Sequence, residues 1–127
     1  KDKLWIGYSG FIGVYDGKNF YNFDDRNGIK ENFYRQIAED KAGFLWFATP
    51  DGLLRINDKD FPSIKSKYLY KKDGISHDLV YSIIADNEGN IWIGTQEGAD
   101  KITIDKQGNI LSIRNYHLKE GFVGIEN

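Results

Sequence analysis

The chain has 127 residues, 40% of them hydrophobic and 15% aromatic, enough for one domain with a modest core and too apolar for disorder. A net charge of −2, with acidic residues scattered among lysines, gives no basic footprint for nucleic acid. The lack of cysteine excludes a disulfide scaffold and a thiolate metal site, and no apolar run approaches the roughly 20 residues of a membrane span.

Fourteen glycines against two prolines suit short strands joined by tight turns, and the pattern predicts them from the first residues onward. Leu4–Tyr8 is an apolar strand, followed by a turn at Ser9-Gly10 and a second strand, Phe11–Tyr15. Asp16-Gly17-Lys18-Asn19 is a hairpin turn, because Asp-Gly readily supplies the positive φ such loops require. Phe20–Phe23 returns antiparallel, Asp24–Asn32 is a polar connection, and Phe33–Asp40 opens the next unit. Strands are expected next near Phe44–Thr49, Leu53–Asn57 and Lys67–Lys71, with Asp58–Ser66 an insertion whose Pro62 a central strand would exclude. The last unit reads as Val80–Asp86, Ile91–Thr95, Ala99–Ile104 and Ile110–His117. Composition alone admits a helix over 79–85, but glycine punctuation and β-branched residues favour a strand.

These elements form a repeat. Asp86-Asn87-Glu88-Gly89-Asn90-Ile91-Trp92-Ile93-Gly94-Thr95-Gln96-Glu97-Gly98 has a near copy from Asp40 to Gly52, and a third begins mid-phrase at Asp2. Trp5, Trp46 and Trp92 are therefore equivalent, 41 and 46 residues apart, a period of propeller blades or solenoid units. In this motif the aspartates Asp40 and Asp86 can accept N–H bonds across a turn. Gly43 and Gly89 take its left-handed position, and Gly52 and Gly98 lead the following strand. The tryptophan then falls at a fixed place, where its ring can fill the wedge between neighbouring sheets. These residues are read as skeleton.

The expected fold is all-β: a β-propeller fragment of about three four-stranded antiparallel blades, over units of about 1–32, 33–78 and 79–127 within one domain, 1–127. The first unit lacks its opening strand, which leaves eleven. Three blades cannot close a ring, since propellers use about 4–8. Open edges predict self-association, for example as a six-bladed dimeric ring.

In a four-stranded blade the loops between strands two and three share one end with the connections between blades. Tyr8, Tyr34, Arg35, Asp51, His77, Asp78, Tyr81 and Glu97 are the candidate ligand contacts there, because rings that stack on sugars beside hydrogen-bonding neighbours suit carbohydrate recognition. Ordinary loop and channel filler is the plainer reading of the same residues. His77-Asp78 is the one His–carboxylate neighbour pair, but neighbours on a strand point to opposite faces and no nucleophile converges on it, so no catalytic residue is assigned. Asp24-Asp25-Arg26-Asn27-Gly28 lacks the alternating ligands of a calcium loop, so no metal and no cofactor is expected.

The stretches from Val80 to Gly98 and from Arg35 to Ile56 resemble the two-component regulator propeller repeat. The sequence departs from it at Ala99-Asp100, at Ala48, and by a one-residue deletion around Ser9-Gly10. The resemblance implies a periplasmic sensor module of a hybrid two-component system histidine kinase, joined to the membrane through the parent protein. It implies that the module binds carbohydrate fragments, or relays their presence, without catalysis of its own. Glu120–Asn127 resembles the connection before another blade strand, and no signal peptide is recognisable. A propeller enzyme similar to streptogramin lyases would need a histidine base and metal ligands at a channel mouth, where this chain offers His77. Structural spacer blades without a ligand are the third reading.

Overall fold

A computed structural model describes residues 3–30, 32–34 and 36–117. It contains eleven strands among these residues: β1 (Leu4–Tyr8), β2 (Phe11–Tyr15), β3 (Phe20–Phe23), β4 (Gln36–Glu39), β5 (Leu45–Thr49), β6 (Gly52–Asn57), β7 (Lys65–Leu69), β8 (Val80–Ala85), β9 (Ile91–Thr95), β10 (Gly98–Ile104) and β11 (Ile110–His117). They form three antiparallel meanders, β1-β2-β3, β4-β5-β6-β7 and β8-β9-β10-β11. Residues 80–85 are a strand, as the glycine punctuation required.

Two strands, β4 and β7, differ from expectation by more than one residue at an end, and the rest by one residue at most. β7 stops at Leu69 because Tyr70 caps a 3-10 turn, with the Asp73 carboxylate accepting the Tyr70 N–H at 2.9 Å. β4 begins at Gln36, after the buried Tyr34 ring has turned into the core between the first two sheets. The polar connection after β3 holds the matching 3-10 turn, Asp25–Asn27, with Asp24 bonded to Arg26.

Alternation along the strands gives the middle sheet two buried faces. Phe47, Leu54 and Ile56 pack with Ile12, Val14 and Phe23 of the first sheet, while Trp46, Ala48, Leu53 and Leu69 pack with Ile83, Ile91, Ile93 and Ile102 of the third. The sheets thus stack face to face through two apolar layers, each made from opposite sides of the same strands.

The repeated motif sets this stacking. Asp40 Oδ1 accepts the N–H groups of Ala42 and Phe44 at 2.8 and 3.0 Å, and Oδ2 accepts the Trp46 indole N–H at 2.8 Å. Asp86 repeats the pattern with Glu88, Asn90 and Trp92 at 2.9, 3.0 and 3.1 Å. Gly43 and Gly89 sit at φ of 91° and 78°, in the left-handed region that glycine enters without steric cost. A cation from the next strand covers each ring: Arg55 lies 5.2 Å from the Trp46 centroid and Lys101 5.6 Å from that of Trp92. Trp46 is fully buried between sheets; Trp92 occupies the same place on the outward face of the third sheet and is half-buried, stacked on Tyr116. Trp5 packs against Phe23, Phe47 and Phe61.

Candidate functional site

The meander order puts the β1–β2, β5–β6 and β9–β10 loops at one end of the sheets, with the connections that lead into β4 and β8. A repeated threonine clamp shapes two of these loops. Thr49 donates to the Gly52 carbonyl at 2.7 Å and accepts the Asp51 N–H at 3.0 Å; Thr95 does the same with Gly98 and Glu97 at 3.3 and 3.1 Å. Asp51 and Glu97 are thereby presented to solvent at equivalent positions. The connections are tied to the same loops, since the Asn32 amide donates to Thr49 at 3.3 Å and the Gly52 N–H donates to the Asp78 carbonyl at 2.6 Å.

Around Asp51 the chain assembles a cluster of tyrosines and a lysine. The Lys30 ammonium donates to the Tyr70 hydroxyl and lies 4.9 and 4.7 Å from the Tyr68 and Tyr70 ring centroids. The bond to Tyr70 and, to a lesser degree, the Asp51 carboxylate hold Lys30 above its ordinary pKa. Tyr34 donates to the Lys30 carbonyl and its oxygen lies 2.7 Å from that of Tyr68. Desolvation, then the Tyr68 contact, pushes the Tyr34 phenol upward, and desolvation raises Tyr68 as well, so both stay neutral at physiological pH.

The structure therefore brings Tyr34, Asp51 and Asp78 to one neighbourhood, with Tyr34 buried and its hydroxyl engaged. Tyr8 stands apart on the outward face of the first sheet, stacked on Phe11 at 4.5 Å. Tyr81 is exposed at a bulge in β8, and Glu97 lies at the loop of the third sheet. His77 Nδ1 accepts the Leu79 N–H at 3.0 Å, which makes it a turn residue. Arg35 and Glu120–Asn127 lie outside the described residues. Lys30, Tyr68 and Tyr70 were not among the expected contacts; the signal was the Tyr-Leu-Tyr alternation at 68–70, which places both rings on one face of an extended segment.

Beside Glu97 a buried polar network holds the connection from β7 to β8. Asp100, fully buried, accepts from the Ser76 N–H at 2.8 Å, the Ser76 hydroxyl at 3.1 Å and the Asn115 amide at 2.8 Å. The Ser76 and Thr95 hydroxyls are 2.7 Å apart. Asp100 thus replaces an apolar residue of the repeat and pins two strands and a connection through hydrogen bonds. Among the described residues no group of three His, Asp or Glu side chains is arranged to hold a metal ion.

Two stretches, 28–51 and 74–97, match the family model of the two component regulator propeller. These two stretches are similar to two-component regulator propeller repeats. Among solved structures it is similar to the extracellular domain of a B. thetaiotaomicron protein, BT3049, named for the hybrid two component systems, with a TM-score of 0.72 and 24% identity. The match covers 94% of this chain and 16% of that one. A protein of unknown function from Bacteroides caccae matches with a TM-score of 0.54 and 16% identity, over 92% of this chain and 42% of that one. This chain therefore spans less than half of either protein, and the likeness is one of fold: an all-β propeller fragment whose three sheets are successive blades. No curated protein sequence matches significantly. Among the described residues no helix is long and apolar enough to cross a membrane.

Proposed function

We propose that this propeller fragment is a non-catalytic recognition module in the periplasmic region of a hybrid two-component sensor. Its ligand is a carbohydrate fragment, whose presence the parent protein relays to a histidine kinase. The observation that carries the reading is the Lys30–Tyr68–Tyr70 cluster beside Asp51, at the end where the loops and connections of the repeats gather. Stacked rings with a cation and a carboxylate at their edge supply the apolar face and the hydrogen bonds that a sugar ring needs. The similarity to the extracellular domain of a protein named as a hybrid two component system supports the cellular setting. Relay follows if ligand at this end favours one of two blade packings, since a ligand shifts an equilibrium by its differential affinity for the states.

Calorimetric titration of the chain with neutral oligosaccharides tests the reading. Binding weakened about tenfold by Tyr70→Ala, the loss of one stacking ring, is the expected result. No heat across a broad glycan panel would leave these blades as structural spacers.

A further inference from the structure

We propose that the trough between the second and third blades, at the end opposite the loop cluster, is a subsite for an acidic saccharide. The trough has a volume of about 370 Å³ and is lined by Phe44, Arg55, Asn57, Lys65, Lys67 and Asn109, among others. The class of ligand rests on the carbohydrate reading above; the location and sign of the site do not.

The register builds it. Arg55 pairs with Lys67 and Asn57 with Lys65, so these four side chains share the face of β6 and β7 that looks toward the third blade. Across the trough stands the β10–β11 turn, Asp105–Asn109, held by the Asp105 carboxylate. Arg55 lies 4.2 Å from the Phe44 centroid and donates to the Gly108 carbonyl at 2.5 Å, which uses one of its five N–H groups.

Arg55 by itself would be skeleton, because Lys101 takes the same place over Trp92 in the next blade. Lys65 and Lys67 have no such role. Both are exposed, and among the described residues the ion pairs are Lys3–Asp58 and Arg26–Asp24, neither of which involves them. Asp40 and Asp105 lie close to Arg55 and offset its charge. The positive field therefore remains at the mouth, where the lysines stand.

Residues two apart on one strand face lie about 7 Å from each other. That spacing suits two anionic groups on one chain better than a single inorganic ion. Asn57 uses its oxygen on the Lys59 N–H and keeps its amide hydrogens, and Asn109 uses its amide on Asp105 and keeps its oxygen. One donor and one acceptor are thus left for sugar hydroxyls beside the cations.

The test is calorimetry of the chain with trigalacturonate, maltotriose and sodium sulfate at low salt. Trigalacturonate should bind, and Lys65→Gln with Lys67→Gln should weaken it about tenfold, the scale of two exposed charge contacts. Lys18→Gln with Arg114→Gln, which removes as much charge at exposed positions outside both the trough and the Tyr70 cluster, should leave the affinity unchanged. Equal losses in both double variants, or sulfate competing as strongly as trigalacturonate, would overturn the proposal. So would no binding of trigalacturonate; if maltotriose then binds in a Tyr70-dependent way, the functional reading stands without this subsite.

Discussion

A single carboxylate organises each repeat. Asp40 orders a turn with one oxygen and orients a buried indole with the other, so Asp40→Ala strands three donors at once. Buried donors left without a partner cost about 1–3 kcal/mol each in the worst case, and the change is expected to destabilise by about 2–4 kcal/mol in denaturant titrations. Asp86→Ala should cost less, because Trp92 is half-buried and its N–H can find water. A reversed order would place the stabilising role elsewhere than the indole bond. Tyr34 makes a second residue-scale prediction, in pH. Its folded pKa is raised, so the stability it contributes is present below about pH 10 and lost as pH rises, the unfolded chain ionising first. Tyr34→Phe loses the hydroxyl bonds yet cannot ionise. The stability gap between wild type and variant should therefore narrow from pH 8 to pH 11; a gap that stays constant would show that Tyr34 titrates alike in both states.

At the scale of elements, the blades meet through turns as well as faces. The Lys41 N–H donates to the Gly89 carbonyl at 3.0 Å, and a Cβ at Gly89 would lie 2.9 Å from the Lys41 backbone at a φ of 78°. Gly89→Ala therefore combines a forbidden backbone region with a contact against main chain that cannot step aside, and should cost about 1–3 kcal/mol. Thermal melting checks it; an unchanged midpoint would mean that the two turns do not pack. Most of this element structure was legible in the sequence, because the Asp-x-x-Gly-x-x-Trp spacing marks turn, strand start and buried ring together. β7 was misplaced because Tyr70-Lys71 continues an alternating pattern, and only the Asp73 carboxylate returning to the Tyr70 N–H ends the strand. The tyrosine cluster escaped for a related reason. Lys30 and Tyr70 are 40 residues apart, and no local pattern announces that a connection of one blade will lie across the outer strand of the next.

For the whole molecule the decisive feature is that, among the described residues, only the middle blade has both faces covered. The register puts Leu4, Tyr8, Tyr15 and Phe20 on the outward side of the first sheet, and they are 38–58% exposed. Ile84, 64% exposed, stands beside Trp92 on the outward side of the third. The Trp92 face is the repeat equivalent of the Trp46 face, which is buried against a neighbour, so each copy has one face that offers a tryptophan and one that could receive it. The association of copies expected from the open edges is a proposal that these faces support. Head-to-tail pairing of two copies gives six blades, within the range of closed propellers. In such a ring each interface joins the two unlike faces. Phe20→Lys alone, or Ile84→Lys alone, should therefore break both interfaces and leave monomer in sedimentation experiments. Mixing the two variants restores one intact interface, between the Trp92 face of Phe20→Lys and the first-sheet face of Ile84→Lys, and should give a heterodimer. Wild type that stays monomeric at high concentration would reject association altogether. A Phe20→Lys variant that remains dimeric would instead show like faces pairing through the third sheet.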